Sequence, residues 1–227
     1  MLKGLFITGT DTEVGKTEIG AQIVAQLWQH GISVTARKPV ESGCAATAAG
    51  LRPADAWRYR QALDDSIPLE QICSYCFEAP IAPLVAAREQ GAELTLDQLI
   101  MACENKGEAL AIVEGAGGFY SPLAEQVLNA DLAAALGYPV ILVAANRLGC
   151  INHVLLTLAA IAQHGLETLA IVLSETEPGQ AISSNASLLR ELQSRPVISL
   201  GYGGNLNVSE LLSLSGHPLE SLDHRVR

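Results

Sequence analysis

The chain has 227 residues, a formal net charge of −10 and a pI near 4.9. That length suits one domain, 1–227, with a sizeable core, and 49% apolar but only 4% aromatic residues suit an α/β protein built from Ala, Leu, Val and Ile. The acidic balance excludes non-specific nucleic-acid binding and polybasic membrane-surface binding, because both demand clustered Lys and Arg.

No apolar run approaches the roughly 20 residues that span a bilayer, and the chain opens directly on a strand pattern. The sequence therefore reads as soluble and cytoplasmic. Five cysteines lie scattered at 44, 73, 76, 103 and 150, an odd number that argues against a disulfide framework. Cys73-x-x-Cys76 has no second Cys or His pair to complete a zinc site, so two incidental thiols outweigh a metal or redox pair.

The first element is the apolar run Leu2–Thr8, followed by Gly9-Thr10-Asp11-Thr12-Glu13-Val14-Gly15-Lys16-Thr17 and a helical pattern over Lys16–His30. Strand, glycine-flanked loop, Lys-Thr and helix form a phosphate-binding loop. Backbone N–H groups converge on phosphate oxygens, and the helix N-terminus adds partial positive charge. Lys16 reaches the outer phosphates and the Thr17 hydroxyl is a Mg²⁺ ligand. The usual G-x-x-x-x-G-K-[ST] spacing would place Gly at position 10, so this loop is one residue longer than standard.

Further strands are expected at Ser33–Arg37, Ala109–Val113, Val140–Ala144, Leu169–Leu173 and Val197–Leu200. Several are continuous apolar runs, as befits strands covered on both faces. Helices are expected over Asp55–Leu63, Ile81–Gln90, Leu96–Asn105, Glu125–Leu136, Ile151–His164 and Ala181–Gln193. Thr95 and Gln98 form a candidate capping box, and Gly31, Gly137 and Gly165 fall just past helix ends where a left-handed residue is wanted. The alternation predicts an open, mostly parallel sheet with helices on both faces, and leaves 40–108 as an insertion without a confident strand. No internal repeat or linker divides the chain.

Ligands of such sheets bind at the carboxyl ends of the strands. That rule sets Gly9–Thr17, Lys38–Gly43, Glu114–Gly118 and Ala145–Asn152 along one rim. Lys38 follows the second strand and precedes a Ser42-Gly43 turn; beside a phosphate loop it is better read as an anion ligand than as a solvated lysine. Glu114 ends a buried apolar strand, where a carboxylate is costly unless paired or metal-bound, and it occupies the place of the second metal-directed acid of phosphate-loop enzymes. The glycines after it permit close backbone approach. Asp55 opens a helix, and cap and metal ligand are equally open readings. Gly149-Cys150-Ile151-Asn152 starts another helix, whose free N–H groups offer a second anion site. Cys150 reads as a small packed residue and His153 as structural.

Taken in order, Gly9-Thr-Asp-Thr-Glu-Val-Gly-Lys-Thr17, Lys38-Pro-Val-x-Ser-Gly43, Leu51-Arg-x-x-Asp55, Val113-Glu-Gly-Ala-Gly-Gly118 and Leu148-Gly-Cys-Ile-Asn-His153 resemble the dethiobiotin synthetase family, from the first strand to about residue 175. The resemblance implies a single-domain P-loop ligase. Its members use ATP, Mg²⁺ and CO₂ (or bicarbonate) to close a cyclic urea on 7,8-diaminononanoate in biotin biosynthesis, through a carbamate and a carbamic-phosphoric anhydride. By matching position it implies Lys38 and Lys16 as catalytic residues and Thr17, Asp55 and Glu114 as Mg²⁺ ligands. ATP would lie against Glu13, Val14, Gly15, Lys16, Thr17, Glu18, Asp55, Glu114, Gly115, Ala116, Gly117, Ser174 and Glu175. Thr12 and Ser42 would contact the diamine or carbamate. Gly149, Cys150, Ile151 and Asn152 would take the substrate carboxylate across a homodimer interface.

The C-terminal third departs from the pattern. Ser174-Glu175 stands where the family commonly has Asn-Asp to read adenine, Gly201-Tyr202-Gly203-Gly204-Asn205 replaces a Pro-containing turn, and Ser184 or Asn185 lies near the place of a substrate-contacting Tyr. Weak discrimination among nucleoside triphosphates is the expectation, because a hydroxyl cannot make the paired contact of an amide. Competing readings are a partition or septum-positioning switch ATPase and a family member that binds nucleotide without turnover. Against the switch ATPase, Thr10, Asp11 and Thr12 replace its additional loop lysine, and the tail Glu220–Arg227 is polar.

Overall fold

The buried apolar runs assemble into a six-stranded, all-parallel sheet. The computed structural model describes residues 2–105, 107 and 109–225, the last three as backbone only. The chain begins with β1 (Gly4–Gly9), α1 (Lys16–Gln29), β2 (Val34–Arg37) and β3 (Val40–Ser42). A small hairpin, β4 (Ala45–Thr47) and β5 (Gly50–Arg52), precedes α2 (Ala54–Ala62), α3 (Leu69–Ile72), β6 (Tyr75–Phe77), α4 (Pro83–Glu89) and α5 (Leu96–Ala102). Then come β7 (Leu110–Gly118), the hairpin β8 (Pro122–Ala124) and β9 (Val127–Leu128), α6 (Asn129–Leu136), β10 (Val140–Ala145), α7 (Cys150–Gln163), β11 (Thr168–Ser174), α8 (Ser183–Leu192), β12 (Val197–Leu200) and α9 (Val208–Leu214). The main sheet runs β12-β11-β10-β1-β7-β2.

Successive residues of one strand point to opposite faces, and here both faces are dry. Leu5 and Ile7 of β1 enter one core with Leu110 and Ile112 of β7 and Ile141 and Val143 of β10. Phe6, Ala111, Val113, Leu142 and Ala144 enter the other. Double coverage is why these strands read as unbroken apolar runs. Gly31, Gly137 and Gly165 take the expected positive φ after their helices, and Thr95 with Gln98 makes a reciprocal capping box at α5.

Three expectations need correction. The 40–108 insertion holds β3 paired with β6 and β4 paired with β5; each strand is three residues long and lies outside the main sheet, too short to carry a period-2 signal. The helix expected over Glu125–Leu136 starts only at Asn129, because Gln126 turns the β8–β9 hairpin at φ 56°. After residue 200 the chain forms α9 and a 3₁₀ turn over Leu219–Arg225, neither foreseen. Two glutamines one turn apart on α1 anchor the chain leading into α9. Gln22 bonds the Gly204 carbonyl and the Leu206 N–H, and Gln26 bonds the Leu206 carbonyl and the Val208 N–H. Val226 and Arg227, the end of the polar tail, lie outside the described residues.

Strand register places the candidate site. Ile7 pairs with Glu114, the ladder then shifts so that Gly9 meets Gly118, and Arg37 pairs with Val113. The loop after β1, Lys38 after β2 and Glu114 within β7 therefore meet at the same end of three adjacent strands.

Candidate active site

The phosphate loop is held open by two left-handed residues, Glu13 at φ 55° and Gly15 at φ 95°. At Gly15 space also favours glycine: a Cβ there would lie 2.8 Å from Ser174 Oγ. Lys16 Nζ donates to the Asp11 carbonyl of its own loop at 2.7 Å, curled over the place where phosphate oxygens would sit. Desolvation, reinforced by the Lys38 charge, pushes the Lys16 ammonium down to about 8. A group so short of solvent and so near a second ammonium is primed for a polyanion.

The centre of the site is Glu114, fully buried at 0% exposure. Its Oε1 accepts from Lys38 Nζ at 2.5 Å and from the Thr17 hydroxyl at 3.0 Å, and its Oε2 accepts from the Tyr59 hydroxyl at 2.8 Å. Lys38, itself 3% exposed, also pairs with Asp55 Oδ2 at 2.9 Å. Burial alone would lower the Lys38 pKa, but the charges and hydrogen bonds of Glu114 and Asp55 raise it above the ordinary lysine value. Burial would likewise raise Asp55, yet the Lys38 charge and hydrogen bonds from Lys38 and Thr17 hold it below the ordinary carboxylate value. Burial and the Glu114 charge keep the Tyr59 phenol protonated, well above its usual range. Lys38 is thus a permanent cation, fit to stabilise developing negative charge and unfit as a general base.

Of the two open readings of Asp55, the cap fails here. It does not cap its own helix; Glu41 of β3 does so from outside, accepting the Asp55 N–H at 2.9 Å and the Ala56 N–H at 3.1 Å. Asp55 is thereby free to face Lys38. Burial and the Asp55 charge raise the Glu41 pKa, partly offset by those two N–H groups. Removing this cap should cost about 2 kcal/mol. Urea denaturation of Glu41→Ala should show that loss, accompanied by a higher KM for Mg·ATP as Asp55 loses its anchor.

Asp55 and Glu114 both pair with the Lys38 ammonium, and the Thr17 hydroxyl donates to Glu114, so a hydroxyl and two carboxylates gather at one point. This hard-oxygen donor set fits Mg²⁺, which keeps few protein ligands and shares itself with phosphates. No group of three or more His, Cys, Asp or Glu that could hold a metal ion occurs among the described residues.

A cleft of about 1030 Å³ opens over this centre. It is lined by Thr12, Glu13, Gly15, Lys16, Thr17, Glu18, Lys38, Ser42, Asp55, Glu114, Ala116, Gly117, Ser174 and Glu175 of the expected site residues. One end is walled by Ser42, Gly43 and Pro80–Pro83, the other by Leu200–Gly204. Val14 and Gly115 do not line it. Val14 turns its side chain into the core, and a Cβ on Gly115 would lie 2.6 Å from Asn129 Oδ1, so that glycine makes room for a packing partner. Asn129 spans the turn by donating to the Ala116 and Gly118 carbonyls. Gly149–Asn152 also lie outside the cleft of their own chain; Cys150 is buried as expected, whereas Asn152 and His153 are exposed.

At the Leu200–Gly204 end, no side-chain amide among the described residues lines the cleft. Glu175 spends its carboxylate on the Tyr202 and Gly179 N–H groups, and these backbone bonds lower its pKa. Asn185 is buried and donates to Asn146 Oδ1 and the Arg147 carbonyl, a packing role away from the cleft. Tyr59, Glu41, Gln22 and Gln26 are the functional-site residues that sequence reasoning missed. The available signals were the i, i+4 spacing of Asp55 with Tyr59 and of Gln22 with Gln26.

A parallel sheet with this loop, a strand-end acid and a buried lysine defines a P-loop nucleotide-binding protein. A family model described as an AAA domain matches residues 3–201. Among solved structures, the signal recognition particle receptor FtsY from Elizabethkingia anophelis superposes with a TM-score of 0.50 at 13% identity, over 98% of this chain and 65% of that one, a likeness of fold alone. The sequence relatives are much nearer. The chain is 41% identical over 203 residues to the ATP-dependent dethiobiotin synthetase BioD of Anaeromyxobacter dehalogenans (strain 2CP-C), covering 88% of this chain and 89% of that protein. It is 39% identical over 202 residues to the protein of the same name from Aeromonas salmonicida (strain A449), covering 87% and 89%. The chain belongs to the ATP-dependent dethiobiotin synthetase family.

Proposed function

We propose that this protein is an ATP-dependent cyclo-ligase that closes 7,8-diaminononanoate with CO₂ to dethiobiotin. The observation that carries the reading is Lys38, a buried permanent cation set between Glu114 and Asp55 at the mouth of the phosphate loop. A nucleotide switch has no need of such a group, whereas a reaction between three anions does.

The carbamate formed from one amine and CO₂ attacks the γ-phosphorus through a carbamate oxygen, and ADP leaves. The second amine then attacks the carbamoyl carbon, the ring closes, and phosphate departs with that oxygen. Lys16 moves from the Asp11 carbonyl to the phosphates. Lys38 lies across the path of the transferring group and offsets its charge. Thr17, Asp55 and Glu114 would hold Mg²⁺, which would supply charge neutralisation of the phosphates when bound. Thr12 and Ser42 flank the diamine end of the cleft. Bringing these anions together converts a mutually repelling encounter into an intramolecular one.

The homodimer is part of the same reading. Gly149–Asn152 sit outside their own cleft, next to the exposed Leu148, Leu155 and Leu156 of the α7 region, which supports delivery of this helix start to a second copy's site. No helix among the described residues is long and apolar enough to cross a membrane, compatible with a cytoplasmic enzyme. A single domain over 1–227 accords with the two continuous cores that share one sheet.

The test is to incubate the protein with diamine, bicarbonate, Mg²⁺ and ATP and to follow phosphate and dethiobiotin together. Equal release of both, dependent on the diamine, supports the ligase; phosphate release indifferent to the diamine supports the switch ATPase. Base selectivity should be slack, since Ser174 faces Gly15 and Glu175 is occupied by backbone. Values of kcat/KM for ATP, CTP and GTP should fall close together, and a preference for ATP above about 100-fold would contradict this, because sites that pair with a base edge discriminate more strongly than that.

A further inference from the structure

Tyr59 is 0% exposed and lies on the same face of α2 as Asp55, one turn further on. Asp55 meets Lys38; the Tyr59 hydroxyl meets Glu114 Oε2 at 2.8 Å. The oxygens of Glu114 are thus divided. Oε1 takes Lys38 and Thr17, on the side that opens to the cleft, while Oε2 takes Tyr59, on the side facing the core. Room for the phenol comes from α1, where Gly20 stands in the helix interior and a Cβ would collide with the Tyr59 hydroxyl. Interior glycine costs a helix about 1 kcal/mol relative to Ala, and nothing about α1 itself requires it. Admission of the Tyr59 hydroxyl accounts for it.

We propose that Tyr59 is a positioning residue for the metal centre: by occupying Glu114 Oε2 it confines the carboxylate to ligation through Oε1 alone and so selects Mg²⁺ against larger cations. Mg²⁺ is small and takes near-octahedral single-oxygen ligands, whereas Ca²⁺ readily takes both oxygens of a carboxylate at higher coordination number. A carboxylate with one oxygen already committed to a buried phenol suits the first and penalises the second. The inference rests on Glu114 serving as a metal ligand in the proposed ligase, and cation preference is read without turnover.

The experiment compares wild type with Tyr59→Phe, which keeps the ring that fills the space between α1 and α2 and deletes only the donor. Dissociation constants are measured by calorimetry for the β,γ-imido analogue of ATP with MgCl₂, with CaCl₂ and with EDTA. The ratio of the calcium to the magnesium constant should fall about tenfold in Tyr59→Phe, the scale of losing an outer partner of a metal ligand. The constant in EDTA should stay unchanged. Gly20→Ala, which pushes the same hydroxyl away from the other side, should shift the ratio in the same direction and serves if Tyr59→Phe melts below the assay temperature. An unchanged ratio in a folded variant overturns the proposal. So does an equal weakening of all three constants, which is what a merely structural tyrosine would give. A lowered ratio in a protein that makes no dethiobiotin would uphold the role of Tyr59 and refute the ligase reading instead.

Discussion

Lys38→Ala should lower kcat by at least about 10³-fold while nucleotide binding stays nearly intact. The asymmetry follows from position. On the proposed reading the nucleotide phosphates are held by the loop and by Lys16, whereas Lys38, which follows β2 and pairs with Glu114 beside Thr17, acts on the transferring group as charge develops. The variant also leaves two neighbouring carboxylates without their cation, and Glu114 is fully buried. Stability therefore drops by about 3–5 kcal/mol in metal-free buffer, and Mg²⁺ restores part of it because a divalent ion compensates the same two acids. Single-turnover kinetics, nucleotide titration and melting with and without Mg²⁺ read the three effects separately. Failure to bind nucleotide would show that Lys38 serves the ground state.

Glu114→Gln is the second large effect. The carboxylate collects three donors, from Lys38, Thr17 and Tyr59. An amide of the same shape keeps one acceptor oxygen for Lys38 and Thr17 and sets its NH₂ against the Tyr59 hydroxyl, which must turn from donor to acceptor, while Lys38 loses a buried charged partner. Lys38 keeps only Asp55 as a counter-ion, and Asp55 is partly exposed. About 3 kcal/mol of stability should be lost in urea denaturation, and turnover at saturating Mg²⁺ should fall about 10²- to 10³-fold. Retention of wild-type stability would mean that the Lys38–Glu114 pair is replaceable, as some buried ion pairs are.

The main sheet was legible in the sequence because its strands lie buried on both faces, which writes them as unbroken apolar runs. The segments 40–52 and 75–77 were not: three-residue strands carry no usable period, and their pairing is fixed by tertiary contact. The loop, Lys38 and Glu114 stood out because charge at the end of an apolar strand is anomalous. Glu41 and Tyr59 did not, since an acid in a loop and a tyrosine on a helix have ordinary explanations until their partners are known. At Gly115 the need for close approach was legible, but its partner Asn129 was not. The Gly201–Asn205 end of the cleft was opaque because what positions it is α1, through Gln22 and Gln26, about 180 residues earlier in the chain.

The central claim is that a carbamate oxygen, and not water, attacks ATP in this cleft. Brief reaction of the enzyme, diamine, Mg²⁺ and ATP with ¹⁸O-labelled CO₂ in unlabelled water tests it directly. The account predicts one labelled oxygen in each phosphate released and one in the urea carbonyl of the product. Unlabelled phosphate formed at the same rate would mean hydrolysis, and would contradict it.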